Sequence, residues 1–107
     1  MPGSHADKKI MIVEDEAPLR NAIADILVFE GFTVFQAKNG QEGLDMALAQ
    51  HPDLILLDLM MPVMDGLTML EKLRTDADYG AHAAVILLTN INDPEKVAQA
   101  TEAGSYD

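Results

Sequence analysis

The sequence predicts an α/β domain, a parallel sheet with helices on both faces. Three observations carry that prediction. Short aliphatic runs such as Leu54-Ile55-Leu56-Leu57 lack polar alternation, the mark of strands buried on both sides. Between them lie longer segments whose apolar residues recur at helical spacing. Strand and helix patterns alternate along the chain in the order βαβαβαβα, as a sheet built from crossover units requires.

The first strand is Lys9-Ile10-Met11-Ile12-Val13. Leu19, Ala22, Ile23, Ile26 and Leu27 then mark the core side of a helix, with Pro18 in its first turn and Gly31 as its stop. Residues 32–37 read as a shorter strand near a sheet edge. Asn39-Gly40 opens a second helix with Leu44, Ala47 and Leu48 on its buried side, closed by His51-Pro52. The aliphatic run at 54–57 follows, and Asp65 is placed to cap a helix carrying Leu67, Leu70 and Leu73. Residues 75–83 are a polar loop, and Ala84-Val85-Ile86-Leu87-Leu88 is a fourth strand. Asp93-Pro94-Glu95 starts a last helix over about 94–103, with an N-cap, proline at the first position and acid in the first turn. Its apolar residues are small, so it is expected to be the least firmly held.

The chain's 107 residues suffice for one domain with a core. A net charge of −11 argues against contact with nucleic acid or an anionic membrane by this domain. The absence of cysteine excludes disulfides and thiolate metal sites, and fits a cytoplasmic location. No apolar stretch is long enough to span a membrane. The opening Met1-Pro2-Gly3-Ser4-His5 looks like an expression remnant, so residues 1–7 are set aside and the domain is taken as 8–107.

Three of these strands end in residues with chemistry. Glu14-Asp15-Glu16 follows the first, Asp58 the third and Thr89 the fourth. In an open α/β sheet the carboxyl ends of the strands form the edge where ligands bind. A carboxylate such as Asp58 at that edge can serve as nucleophile, metal ligand or helix cap. If the strands are parallel neighbours, their clustered acids cannot all stay ionised without a cation, and hard oxygen donors suit Mg²⁺.

The acidic doublet Glu14-Asp15, the string Asp58-Leu59-Met60-Met61-Pro62-Val63-Met64-Asp65-Gly66 and the ending Leu87-Leu88-Thr89 come in order and at matching spacing. Together they resemble the receiver domain of bacterial two-component response regulators, from about Lys8 to the last residue. The resemblance implies a flavodoxin-like, doubly wound sheet of order 2-1-3-4. It implies that Asp58 accepts a phosphoryl group from a histidine kinase or histidine phosphotransfer protein. It further implies Mg²⁺ held by Glu14, Asp15, Asp58 and the Met60 carbonyl, with Thr89 bonding the phosphoryl oxygen and acting as the switch. Such a domain catalyses only its own phosphorylation and dephosphorylation.

The same resemblance implies a fifth strand with a rim lysine and a final helix, neither of which is found before Asp107. The chain is therefore expected to be C-terminally incomplete, with none of Lys8, Lys9, Lys38, Lys72 or Lys96 at a carboxyl rim. An exposed fourth strand would favour a homodimer through edge or swapped pairing. Asn90, where the family usually has a smaller residue, is expected to alter phosphoryl lifetime.

Two competing functions remain to be weighed. A phosphatase using an aspartyl phosphate would need a second acid at Met60, which carries no proton. A receiver-like interaction module without phosphorylation would keep the fold and lack the chemistry. The Met60, Met61, Met64 and Met69 side chains read as loop packing, since methionine is a poor ligand for hard cations. His5, His51 and His82 show no ligand spacing.

Overall fold

The computed structural model describes residues 7–58, 61 and 64–88. Four parallel strands stand in the order β2-β1-β3-β4: β1 Lys9–Val13, β2 Thr33–Ala37, β3 Leu54–Leu57 and β4 Val85–Leu87. Helices α1 Ala17–Phe29, α2 Gly40–Gln50 and α3 Gly66–Arg74 connect them, and a 3-10 turn at Gly80–His82 precedes β4. The predicted α/β class and strand order are those observed, and β2 lies at an edge as expected. Thr89, Met60, Asn90 and the helix expected over 94–103 lie outside the described residues.

Local chemistry sets where the helices begin and end. Asn39 caps α2 by accepting from the Glu42 amide at 2.8 Å, while Glu42 Oε1 accepts from the Lys38 amide. Asp65 caps α3 through the Thr68 amide, also at 2.8 Å. His51 ends α2 in the left-handed region at φ 50°, and Gly31, just past α1, sits at φ 98°, where a Cβ would be strained. Glu16, by contrast, precedes α1 with no side-chain capping bond.

Side chains alternate across the sheet. Met11 and Val13 from β1, Ile55 and Leu57 from β3, and Val85 and Leu87 from β4 face α2 and α3, where they meet Ala47, Met69, Leu70 and Leu73. Met61 and Met69 both pack in this core, but Met69 does so from α3 rather than from the loop expected of it. Ile10 and Ile12 point the other way, toward α1, which lies over β1 and β2 and buries only Ala24 fully.

Four side chains expected on buried helix sides are exposed instead: Leu19 at 45%, Ile26 at 64% and Leu48 at 40%, together with Ala22. The buried side of α1 runs through Arg20, Ile23, Ala24 and Leu27, and Leu19, Ala22 and Ile26 fall outside it. β3 is likewise buried on one face and half-buried on the other. Lys38 is a further correction: it directly follows β2, so it stands at the carboxyl rim after all, exposed and level with Glu14.

The opposite end of the sheet is tied by polar contacts. Arg74 donates to the Gly80 and Ala83 carbonyls at 2.8 and 2.7 Å, closing the loop before β4. Tyr79 donates to the Pro52 carbonyl at 2.8 Å and stacks on His51 with ring centroids 4.6 Å apart. Burial pushes the Tyr79 hydroxyl up to about 12.

Candidate functional site

Parallel register delivers the acids to one place. Val13 pairs with Ala37 on one side and Leu57 on the other, and Leu57 pairs with Leu87. The ladder runs one residue further: Glu14 donates to the Ala37 carbonyl, Asp58 to that of Val13 and Leu88 to that of Leu57, at 3.0, 2.9 and 2.8 Å. Glu14 and Asp58 are therefore neighbours on adjacent strand ends, and Asp15 follows as β1 turns toward α1.

Carboxylate oxygens of Glu14, Asp15 and Asp58 all lie within 4.8 Å of one another. Their burial differs: Glu14 is 4% exposed, Asp58 is half-buried and Asp15 faces solvent. Burial raises the Glu14 carboxyl from 4.5 to about 7, and the side chains of Asp58 and Asp15 push in the same direction. A bond from the Glu16 amide to Glu14 Oε2, 3.3 Å long, works against that shift. Three oxygen donors this close, one of them buried, suit a single hard divalent cation.

Asp65 is not part of the cluster; it caps α3. Glu16 is exposed at the entrance to α1. Thr89 and the Met60 carbonyl, the other expected site groups, lie outside the described residues.

A backbone contact joins α2 to the segment before α3. The Gly40 amide donates to the Met64 carbonyl at 3.0 Å, so the start of α2 rests on the residue just before the Asp65 cap of α3. A Cβ on Gly40 would overlap that carbonyl oxygen and approach Met64 Cγ to 2.9 Å, which explains why the position has no side chain.

Arg20 is a residue of this region that the sequence pattern does not single out. It donates through one terminal nitrogen to the Glu14 carbonyl at 2.8 Å and through Nε to Gln36 Oε1 at 3.2 Å. The available signal was its place among Ile23, Ala24 and Leu27 on the sheet-facing side of α1, an unusual position for a cation without a polar target.

The family model described as response regulator receiver domain matches residues 10–107. This chain belongs to that family. As a receiver domain it is a module of two-component signalling; domains of this kind are signalling switches that interact with histidine kinases or phosphotransfer proteins and bind Mg²⁺ in an acidic pocket. It is 34% identical over 98 residues to the chemotaxis protein CheY of Halobacterium salinarum, covering 92% of this chain and 79% of that one. It is also 34% identical over 100 residues to the probable transcriptional regulator ycf27 of Porphyridium aerugineum, covering 94% of this chain but spanning only 40% of that regulator. Among solved structures, a signal receiver domain of a signal transduction histidine kinase from Syntrophus aciditrophicus superposes with a TM-score of 0.83. The match is 34% identical and covers 94% of this receiver domain and 75% of that chain. No helix among the described residues is long and apolar enough to cross a membrane.

Proposed function

We propose that this receiver domain is an Mg²⁺-dependent phosphoacceptor in which Asp58 takes a phosphoryl group from the phosphohistidine of a partner kinase or phosphotransfer protein. The observation that carries the reading is the convergence of the Glu14, Asp15 and Asp58 carboxylates within 4.8 Å at the ends of adjacent strands. Glu14, Asp15, Asp58 and the Met60 carbonyl would hold the metal. Bound there, Mg²⁺ supplies the positive charge that offsets the clustered acids and the incoming phosphoryl oxygens.

Asp58 contributes the nucleophile. One carboxylate oxygen forms a bond to phosphorus as the bond from phosphorus to the donor imidazole breaks, and the imidazole leaves with the electron pair. The product is an acyl phosphate on Asp58. The backbone bond from the Asp58 amide to Val13 keeps that side chain at the rim while the group transfers. Burial raises the Glu14 carboxyl to about 7, so without a cation it holds its proton up to about neutral pH, and a bound cation would favour its ionised form. Thr89 would bond the phosphoryl oxygen and bias the segment expected to be helical from Pro94; that assignment rests on the sequence resemblance. The domain boundaries 8–107 and a strand-edge or swapped homodimer are proposals on the same footing.

Intact-mass spectrometry before and after acetyl phosphate, with Mg²⁺ and with EDTA, tests the reading beside an Asp58→Asn control. A single phosphoryl adduct that needs both Mg²⁺ and Asp58 is expected. An adduct that survives Asp58→Asn would move the acceptor elsewhere, and no adduct under any condition would favour an unphosphorylated interaction module.

A further inference from the structure

We infer that Arg20 is a positioning residue of the acidic site, holding the Glu14–Asp15 turn in the geometry that receives a divalent cation. The inference rests on the phosphoacceptor reading above and adds to it a residue outside the carboxylate set.

The turn between β1 and α1 has few other anchors. Glu14, the residue after β1, extends the ladder by one bond, from its amide to the Ala37 carbonyl. Beyond it, α1 starts without a side-chain cap. The bond from the Glu16 amide to Glu14 Oε2 uses the carboxylate that a cation would claim, so that tether competes with metal binding. Arg20 is different. It grips the Glu14 main-chain carbonyl at 2.8 Å and leaves the carboxylate oxygens untouched.

The second arm of the guanidinium gives this grip its direction. Nε reaches Gln36 Oε1 on β2, the strand beside β1, so Arg20 links the first turn of α1 to two strand ends at once. A planar guanidinium offers fixed, divergent donors for two such acceptors; a lysine ammonium is a single point on a flexible stem. Arg20 is half-buried beside the turn, which limits its alternatives in water. Groups that orient metal ligands from outside the ligand set commonly carry a large share of metal affinity.

The test is a Mg²⁺ titration followed by amide chemical shifts of Glu14, Asp15 and Asp58, in wild type, Arg20→Met, Arg20→Lys and Gln36→Ala. Arg20→Met is expected to raise the half-saturating Mg²⁺ concentration by about tenfold, the low end for an orienting group. Arg20→Lys is expected to lose nearly as much, because it keeps the charge and loses the bridge. Gln36→Ala changes an exposed side chain, keeps the fold, and should weaken Mg²⁺ binding in the same direction by less. Wild-type affinity in Arg20→Met overturns the inference, as does wild-type affinity in Arg20→Lys, which would make the effect one of charge alone. Should Arg20→Met fail to fold, unchanged affinity in Gln36→Ala overturns it. A purely structural role would lower the melting temperature and leave the affinity of the folded protein unmoved. Failure of the underlying reading looks different: wild type itself would show no Mg²⁺-dependent shifts at the three acids.

Discussion

On one face of the sheet Met11, Val13, Ile55, Leu57 and Val85 are fully buried beneath α2 and α3; on the other, Leu54 and Leu56 are half-buried and Ile86 is 38% exposed. The helices differ in the same sense. α3 buries Met69, Leu70 and Leu73 completely, whereas α1 leaves Ile26 64% and Phe29 69% exposed. Both faces carry aliphatic side chains, so composition does not separate them. What separates them among the described residues is coverage: two helices pack on one face, and α1 lies only over β1 and β2 on the other. Hydrophobic stabilisation follows area removed from water, so most of it comes from the α2–α3 side.

The largest expected effect breaks the comparison if it is wrong. Leu73→Ala should cost about 2–5 kcal/mol in denaturant unfolding, while Ile26→Ala should stay within about 0.5 kcal/mol. A comparable loss at Ile26 would mean that the α1 flank is covered in solution. Gly40→Ala comes next. Its Cβ meets the Met64 carbonyl, a backbone atom with little room to yield, and about 1–3 kcal/mol should be lost in the same assay. A smaller contrast concerns helix starts. Asp65→Ala removes the α3 cap and should cost about 1 kcal/mol, whereas Glu16→Ala at the uncapped start of α1 should fall within about 0.5 kcal/mol.

How much could be foreseen follows from the range of each interaction. The strand runs, the Asn39 and Asp65 caps, and the stops at Gly31 and His51 depend on residues a few positions apart, and each was legible. So was the convergence of Glu14, Asp15 and Asp58, because parallel strands carry their last residues to one edge. The exposed flank of α1 was not legible: periodicity gives the angle of Leu19 and Ile26 around the helix axis but not what lies opposite. Arg20 was missed for the same reason, since its partners Glu14 and Gln36 come from two different strands. The stacking of His51 on Tyr79 likewise joins residues far apart in sequence. Lys38 was misplaced although β2 was foreseen to end at Ala37, a step that counting alone could have supplied.

The site adds an electrostatic cost to this unevenly packed fold, and that cost has a definite sign. Folding raises the Glu14 carboxyl from 4.5 to about 7, chiefly by burying it, so the folded state binds the proton more tightly than the unfolded state. The stabilisation from that proton is complete below about pH 4.5 and is lost as pH rises through about 7. A bound cation that takes up the charge should restore it at the upper end of this range.

Thermal melting of wild type and Glu14→Gln, at pH 5 and pH 7.5 in EDTA and in Mg²⁺, tests this most directly. In EDTA, wild type should lose more stability than Glu14→Gln between the two pH values, and Mg²⁺ should return that loss at pH 7.5 while doing little at pH 5. Parallel pH profiles for the two proteins, or an equal rise with Mg²⁺ in both, would contradict the account of Glu14, Asp15 and Asp58 as a cation site whose charge the fold alone does not offset.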